Sequence, residues 1–278
     1  MPELPEVETM VRGIRPALQG RRLRRLEVRD AHLVQGCDAK ELEQRGKGAT
    51  VEQVGRRGKW VVLTLAGNAG IIVIQPRMTG GFWLIPPERP EHIRLLFHLD
   101  GPHPTVWFCD TRRLGKIIWH ANAVDAERAF VASHGPDALL ITRDELAQRL
   151  SRTRRGIKPT LMDQKIVAGI GNIYADEILF RSRIHPERVA ADLKRADLDR
   201  LHVAIGSILR TAIEAEGSSF DAGYRTVLGL EGGFLAQNAM YGRAGEPCPG
   251  CSSPIQKTRI AGLIGRPTYY CASCQRKR

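Results

Sequence analysis

Two Cys-x-x-Cys pairs near the end of the chain constrain its fold more than any other feature. Cys248 and Cys251 form one pair, Cys271 and Cys274 form the other, and nineteen residues separate the two pairs. In a reducing compartment, paired cysteines at this spacing indicate a tetrahedral zinc site with thiolates at ~2.3 Å rather than disulfides. Four thiolates leave no open coordination position, so we expect one structural Zn²⁺. The residues between the pairs should form a hairpin whose tip lies near residues 262–267.

The net charge of the chain favours a polyanionic partner. Its 278 residues carry a net charge of +12, from 42 Lys and Arg against 30 Asp and Glu. Such an excess favours nucleic acid, although a merely soluble basic protein stays open on charge alone. Residues 241–278 hold seven basic residues and one acidic residue, and so carry +6 of the total. The sequence has no run of about 18 apolar residues and no signal peptide, so we expect a cytoplasmic protein without a membrane span.

The hydrophobic pattern changes its period along the first half of the chain. Apolar residues at helical spacing predict a helix over residues 5–18. We expect Pro16 to kink or shorten this helix and Gly20 to end it. Short runs of β-branched and aromatic residues then predict an antiparallel β-sandwich up to residue 121. Its predicted strands are 26–28, 60–65, 70–74, 81–85, 93–99, 106–109 and 116–119.

The second half of the chain shows a helical pattern. The predicted helices cover 144–150, 159–168, 173–183 and 198–213. We therefore divide the chain into an N-terminal part at 1–121, a connector at 122–143, a helical domain at 144–240 and a finger at 241–278.

Two loops of the helical part have compositions that suit ligand binding. Residues 158–184 have the pattern helix, two turns, helix, and the turns at 169–172 expose backbone N–H groups that suit a phosphate. Residues 217–237 are rich in Gly and Ser. A loop of this length inside a compact domain is usually functional or disordered, and we expect it to cover a bound base.

The start of the chain, Met1-Pro2-Glu3-Leu4-Pro5-Glu6, has a chemical interpretation. Removal of Met1 would leave Pro2 with a free secondary amine, and an α-amino group with a reference pKa of ~7.7–8.0 is partly nucleophilic near neutral pH. Addition of that amine to an aldehyde-level carbon gives an iminium, which is an electron sink. Glu3 and Glu6 could move protons beside it. The alternative interpretation is a capped helix start, because proline and acids both suit a first turn.

Three basic turns interrupt the predicted strands, at residues 56–59, 75–80 and 111–115. Each one alone is consistent with an ordinary solvated hairpin turn. Three such turns in one β-domain are less easily explained as ordinary hairpin turns.

Taken together, these motifs resemble the formamidopyrimidine-DNA glycosylase family, which belongs to the Fpg/Nei superfamily of base-excision repair enzymes. The resemblance rests on the Pro-Glu-Leu-Pro-Glu-Val-Glu-Thr start, the Arg-Gly-Lys and Asp-x-Arg-Arg-x-Gly turns, Gly-Ile-Gly-Asn-Ile-Tyr-Ala-Asp-Glu at 169–177, and the finger. It implies an α+β multidomain fold: an N-terminal helix with a β-sandwich, a helix–two-turn–helix domain and a zinc finger. It also implies a bifunctional DNA glycosylase and AP lyase.

The resemblance implies catalytic roles for five residues. Pro2 would attack C1′ of the damaged nucleoside. Glu3 would protonate the sugar ring oxygen and later shuttle protons, with support from Glu6. Lys59 would assist β-elimination and hold a phosphate, and Arg266 would assist the second elimination and also bind a phosphate.

The resemblance also implies contacts to DNA. Phosphate contacts would come from Arg154, Lys158 and Asn172, while His92 remains from a DNA-binding His-x-His element. Met78 and Arg112 would fill the gap left by the flipped base. A glycosylase must extrude its target nucleotide at a cost of a few kcal/mol, and a flexible Met and a planar Arg suit a wedge between bases.

Four features depart from the family pattern. Gln75-Pro76 replaces the usual His-Leu, Leu114 replaces an aromatic residue, Pro90 replaces the first histidine of the His-x-His element, and the finger hairpin is three residues longer near Leu263. These changes bear on the grip on the orphan base and on lesion preference.

The expected partner is duplex DNA that contains oxidised purines (8-oxoguanine, formamidopyrimidines) or abasic sites, bound by a monomer. Two alternatives stay open. One is a damage reader without turnover, which the altered wedge residues favour. The other is the same fold acting on oxidised pyrimidines, which the Pro-Glu-Leu-Pro-Glu start disfavours.

Overall fold

The chain folds into two compact units, each discontinuous in sequence. The computed structural model describes residues 2–67, 69–101, 104–220 and 223–277. Contacts group Met1–Ala132 with Ile213–Leu235 in the first unit, and Ser133–Ala212 with Ala236–Arg278 in the second. The mixed α+β class is confirmed. The four consecutive domains proposed from the sequence stay a prediction.

Helix α1 (Leu4–Leu18) confirms the predicted N-terminal helix. Its residues Val7, Met10 and Ile14 are completely buried in the core of the first unit. Pro16 lies in the last turn, and the helix continues to Leu18 rather than ending early. Gly20, with φ of +76°, follows the end of the helix as expected.

Within the described residues, nine strands of the first unit form two sheets. In chain order they are β1 (Leu23–Val28), β2 (Val34–Gln35), β3 (Val51–Arg57), β4 (Trp60–Leu65), β5 (Gly70–Gln75), β6 (Gly80–Trp83), β7 (Ile93–Leu99), β8 (Thr105–Asp110) and β9 (Lys116–His120). The strand orders are β1-β7-β8-β6 and β2-β9-β5-β4-β3. Residues of α1 and of both sheets share one hydrophobic core. The short β2–β9 pair is parallel, so the prediction of a purely antiparallel domain is wrong at this edge.

Strand β3 and a second helix are among the elements that the sequence-based prediction missed. Strand β3 contains Arg56 and Arg57, so the turn before β4 consists of Gly58 and Lys59 alone. Helix α2 (Ala39–Gly46) begins after Asp38, whose side chain accepts a hydrogen bond from the backbone N–H of Glu41.

The remaining helices are α3 (Ala123–Ser133), α4 (Arg143–Leu150), α5 (Ile157–Leu161), α6 (Asn172–Ser182) and α7 (Arg195–Glu214). They confirm the predicted helices except that over 159–168, which is wrong because α5 ends at Leu161. The Gln164 side chain explains the stop. Its amide donates to the carbonyls of Met162 and Ile170 and accepts from the N–H of Gly169 at 2.9 Å. These bonds satisfy backbone groups in a turn that a continued helix would pair internally.

The finger contains the expected hairpin. Strands β10 (Gln256–Thr258) and β11 (Thr268–Tyr270) pair antiparallel and frame the loop that carries Arg266. Across the described parts of the chain, no helix is both long enough and apolar enough to span a membrane.

Candidate active site

The N-terminal residues are buried and held by two carboxylates. Pro2 is buried, and Glu3 and Glu6 are each only 1 % exposed. The two acids form a reciprocal capping box at the start of α1, in which the N–H of Glu3 donates to Glu6 Oε2 at 2.7 Å. The first turn of α1 therefore fixes the backbone that follows Pro2. The expected removal of Met1 lies outside the described residues.

Glu6 also connects the start of the chain to the Gly- and Ser-rich loop. Its Oε1 accepts a hydrogen bond from the N–H of Ser218 at 2.8 Å. Gly217 adopts φ of +83°, and a Cβ there would lie 2.8 Å from Glu6 Oε1, so both conformation and space favour glycine. One carboxylate thus joins the segment that carries Pro2 to the segment expected to cover a base.

Hydrogen bonds order the described part of this loop. Ser219 Oγ donates to the carbonyl of Tyr224 at 2.9 Å and accepts from the N–H of Gly232 at 2.8 Å. The Tyr224 hydroxyl donates to the carbonyl of Glu216, and burial raises the pKa of this phenol. Residues 221–222, which belong to the predicted loop at 217–237, lie outside the described residues.

Lys59 lies in the tight turn between β3 and β4 and is half-buried. The guanidinium of Arg56 bridges this turn to α1, because its Nε donates to Glu8 Oε2 and its Nη1 donates to the carbonyl of Gly58, both at 2.9 Å. Gly58 has φ of +55°, which the two-residue turn requires. The turn that carries Lys59 is therefore tied to the helix that follows Pro2.

The two loops expected to fill the gap left by a flipped base are joined by Asp110. This aspartate is completely buried, and its Oδ1 accepts hydrogen bonds from Thr79 Oγ1 at 2.5 Å and from the N–H of Arg112 at 3.2 Å. Its Oδ2 accepts from the N–H of Gly115 at 2.7 Å. Met78, at 37 % exposure, precedes Thr79, so both proposed wedge residues are adjacent to groups that Asp110 holds.

A second aspartate fixes the loop of Arg112 from its other side. Arg113 forms a fork with Asp30, with Nε–Oδ2 and Nη2–Oδ1 distances of 2.6 and 2.9 Å. This contact holds the pKa of Asp30 below its usual value. The sequence pattern did not predict these roles of Asp30 and Asp110, although Asp110 opens the Asp-x-Arg-Arg-x-Gly motif. His92 lies in a short 3₁₀ turn that begins at Pro90, and it is half-buried.

In the second unit, the three residues expected at phosphates lie in different environments. The side chain of Arg154 is 80 % exposed and pairs with Asp192 at 2.8 Å. Asn172 begins α6 and donates from Nδ2 to the carbonyl of Pro267 at 3.1 Å. Lys158 is completely buried, which argues against a direct phosphate contact. Its predicted role therefore needs revision.

Two buried acids follow Asn172 on α6. Lys158 Nζ lies 2.8 Å from Asp176 Oδ1 and forms an ion pair with this carboxylate. Burial raises the pKa of the Asp176 carboxyl, while the positive charge of Lys158 opposes that rise. Glu177 accepts hydrogen bonds from three consecutive backbone N–H groups, at residues 239–241, with distances of 2.8–3.0 Å. Burial also raises the pKa of Glu177. Both acids stand in the 169–177 motif, but the motif alone did not indicate these contacts.

The four finger cysteines are positioned to hold a metal ion. Their sulfur atoms all lie within 4.8 Å of one another, with Sγ–Sγ distances of 3.9 Å for Cys248–Cys274 and 3.4 Å for Cys251–Cys271. A tetrahedral four-thiolate site with zinc–sulfur bonds of ~2.3 Å requires sulfur separations of about 3.8 Å, whereas a disulfide requires ~2.05 Å. The geometry therefore fits a closed metal site.

Arg266 is exposed at the tip of the finger hairpin. Lys257 and Arg259 line an open recess beside this tip, together with Gly265 and Pro267. Three cationic side chains on one short ribbon give this part of the finger a positive surface.

Two family models match most of the chain. The formamidopyrimidine-DNA glycosylase N-terminal domain matches residues 1–117, and the formamidopyrimidine-DNA glycosylase H2TH domain matches residues 134–222. The formamidopyrimidine-DNA glycosylase of Symbiobacterium thermophilum is 38% identical over 279 residues, which cover 99% of this chain and 89% of that protein. The corresponding protein of Thermus thermophilus is 37% identical, with coverage of 99% and 98%.

Solved structures agree with these relatives. The crystal structure of the MutM (Fpg) protein from Thermus thermophilus matches with a TM-score of 0.86 at 36% identity, covering 99% of this chain and 98% of that one. The complex between Lactococcus lactis Fpg and DNA containing an abasic site matches with a TM-score of 0.88 at 29% identity, covering 99% and 100%.

The α+β fold, the N-terminal proline beside a capped helix and the four-cysteine finger define an enzyme of the DNA-repair glycosylase class. Because both family models and full-length relatives match, the chain belongs to the formamidopyrimidine-DNA glycosylase family. The resemblance found in the sequence is thereby confirmed.

Proposed function

We propose that this enzyme removes oxidised purines, such as 8-oxoguanine and formamidopyrimidines, from duplex DNA and then cleaves the strand by β,δ-elimination. One observation carries the proposal: a proline that can present a secondary amine directly precedes Glu3, a buried acid whose backbone N–H donates to the buried carboxylate of Glu6. A nucleophile beside acids that can move protons is the arrangement that base excision through an iminium requires.

The proposed reaction begins with attack of the Pro2 nitrogen on C1′, which displaces the damaged base, and the proton lost from the amine passes to the departing base. Glu3 protonates the sugar ring oxygen as the ring opens, so that C1′ and the proline nitrogen share an iminium. Loss of a proton from C2′ then expels the 3′ phosphate, with Lys59 assisting this step. A further proton loss expels the 5′ phosphate, with Arg266 assisting, and water releases the sugar fragment from Pro2.

In the proposed complex, contacts to phosphates position the DNA on the protein, and two side chains fill the space that the extruded nucleotide leaves in the base stack. The net charge of +12 and the basic finger suit a phosphate backbone, so we expect binding to weaken steeply as salt increases. Met78 and Arg112 would enter the space left by the extruded nucleotide. The solved complex of Lactococcus lactis Fpg with DNA that contains an abasic site supports duplex DNA as the partner.

We further propose that the finger holds one zinc ion and that the protein acts as a monomer. The four sulfurs fit tetrahedral coordination, and four thiolates leave no position for a substrate or water. The metal would therefore support the finger and take no part in the eliminations.

The test is reduction with borohydride in the presence of a duplex containing 8-oxoguanine. We expect a covalent adduct that mass spectrometry locates at Pro2, together with strand cleavage. A matched control carries one extra glycine between Met1 and Pro2, which converts the proline nitrogen to an amide and should abolish trapping at the proline. Cleavage by the parent protein without any trapped adduct would refute the iminium route.

The damage-reader alternative has one supporting observation: Leu114, 41 % exposed beside the Arg112 loop, lacks the aromatic face of the family residue. This alternative predicts tight binding to an abasic-site duplex without cleavage. Parallel reactions with an oxidised-pyrimidine duplex will distinguish the lesion classes.

A further inference from the structure

Lys158 and Asp176 form a buried ion pair in the second unit that the proposed chemistry does not use directly. Their Nζ–Oδ1 distance is 2.8 Å, and the side chains are 0 % and 1 % exposed. Burial of two charges is costly, and well-packed apolar residues often replace such a pair without loss of stability. Stability alone therefore does not explain why these charges lie here.

The other hydrogen bonds of this pair reach three consecutive residues that follow Arg266. Lys158 Nζ donates to the carbonyl of Pro267 and to Thr268 Oγ1, both at 3.0 Å. Asp176 Oδ2 accepts from the N–H of Tyr269 at 3.0 Å. Side chains of α5 and α6 therefore bind three successive residues, 267–269, at the start of β11.

Asn172 adds a bond to the same strand. Its Nδ2 donates to the carbonyl of Pro267 at 3.1 Å, so this carbonyl, immediately after Arg266, accepts from two side chains. Both donors, Asn172 and Lys158, were expected from the sequence to contact phosphates. In the structure they donate to the backbone carbonyl that follows Arg266, which was itself expected to bind a phosphate.

The hairpin itself offers little support to its tip. Strands β10 and β11 pair over three residues each, from Gln256–Tyr270 to Thr258–Thr268. An isolated two-stranded ribbon is marginally stable in water, and the loop between these strands exposes Arg266 while it buries Ile260 and Leu263. An arginine side chain on an unrestrained backbone would lose much entropy on docking to one phosphate.

We propose that Lys158, Asp176 and Thr268 are positioning residues, which set the backbone of Arg266 so that its guanidinium meets one DNA phosphate and assists the second elimination. This inference rests on the proposed function. The ion pair would act by positioning the backbone of Arg266 and would make no contact with DNA itself.

The most conservative test compares Thr268→Val with Thr268→Ser. Valine keeps the shape of the completely buried threonine but removes the oxygen that accepts from Lys158, whereas serine keeps that oxygen. We expect Thr268→Val to weaken binding to a duplex with a tetrahydrofuran abasic analogue by about tenfold, the size of one lost charge-assisted contact. The slope of log affinity against log salt concentration should decrease in magnitude by about 1, which is the change expected when one phosphate contact is lost. Thr268→Ser should keep the parent values.

The second readout is the ratio of β- to δ-elimination products at a natural abasic site. We expect Thr268→Val and the double variant Lys158→Met/Asp176→Leu to slow the second elimination by about 10- to 100-fold, as misplaced catalytic groups do. The first elimination and adduct trapping at Pro2 should be unchanged. If the double variant fails to fold, the comparison of Thr268→Val with Thr268→Ser still tests the positioning role.

Two controls separate positioning from stability. Leu201→Ala removes a completely buried core side chain on α7 and should lower the unfolding temperature without changing the product ratio. In an Arg266→Ala background, Thr268→Val should have no additional effect, because both changes act through one contact. Additive effects, or parent affinity and product ratio in a folded double variant, would overturn the inference. If the parent protein binds the duplex but does not cleave it, the proposed function is refuted. The positioning role is then tested by the affinity and the salt slope of the Thr268 variants alone.

Discussion

Replacement of Glu6 by glutamine tests whether one carboxylate organises the N-terminal site. Both carboxylate oxygens accept a backbone N–H, one from Glu3 at 2.7 Å and one from Ser218 at 2.8 Å, and the side chain is 1 % exposed. Glutamine has the same shape but only one acceptor oxygen, so its NH₂ group must face one of the two N–H donors.

The magnitude follows from these two bonds. A hydrogen bond to a charged group contributes ~1.5–3 kcal/mol, a neutral one contributes ~0.5–1.5 kcal/mol, and a buried donor left without an acceptor costs ~1–3 kcal/mol. Loss of one charged bond and weakening of the other should lower the free energy of unfolding by about 2–4 kcal/mol. We also expect excision of 8-oxoguanine to slow by about 10- to 100-fold, because either the segment after Pro2 or the Ser218 loop must shift.

Urea unfolding and single-turnover excision measure the two effects. Cleavage at a preformed abasic site should slow less than excision, because the loop expected to cover the base then has no base to hold. Glu41→Gln is the matched control: the Glu41 side chain is 40% exposed and pairs with Arg45 on α2, so its loss should cost ~0.5 kcal/mol or less. If Glu6→Gln behaved like Glu41→Gln in both assays, the assigned role of Glu6 would be refuted.

Three further predictions concern the elements around the site. Chelation of the finger metal should unfold the hairpin and abolish DNA binding while circular dichroism retains the sheet signal; unchanged DNA affinity would contradict a binding role for the finger. Asp30→Asn should lower the free energy of unfolding at neutral pH by removing the fork to Arg113. Because Arg113 depresses the pKa of Asp30 from 3.8, this stabilisation is present above that value and lost as pH falls through the lower folded-state pKa. The parent and the variant should therefore converge in acid, as urea titrations at several pH values would show. Glu177→Gln should lower the free energy of unfolding by about 2–4 kcal/mol, since one acceptor oxygen cannot serve three N–H groups at residues 239–241; a loss below ~0.5 kcal/mol would show that these bonds contribute little.

The elements that were predictable from the sequence are those whose pattern is local. Helix α1 shows apolar residues at every turn, and α6 follows a distinctive Gly-Ile-Gly-Asn turn. The metal site was predictable because the spacing of four cysteines alone specifies it.

The elements that were missed have weak or interrupted patterns. Helix α2 buries only Leu42 and Gly46, so it shows no apolar stripe. Strand β3 has an irregularity between Val51 and Gln53, which breaks the alternation expected of a strand. Each element is formed through tertiary contacts that its own residues do not reveal.

The candidate site shows the same limit. Lys158 stands in a cationic stretch that suits phosphate, yet its partners Pro267 and Thr268 lie 109 and 110 residues further along the chain. No local pattern distinguishes a lysine that meets DNA from one that such distant oxygens bury. The contacts of Asp110 with Thr79 depend in the same way on two loops that sequence reasoning treated separately.

The interrupted sequence of the first unit has a consequence for the order of folding during synthesis. Tyr224 and Val227 belong to its main hydrophobic core, although they follow residue 132 by about 90 residues. At ~5–20 residues per second, the ribosome needs about 5–20 s to reach them after it has synthesised residue 132. Until then the surface of α1 at Gly13, against which Val227 packs in the folded protein, stays exposed. A nascent chain halted at residue 132 should therefore be a better chaperone substrate than one halted beyond residue 235.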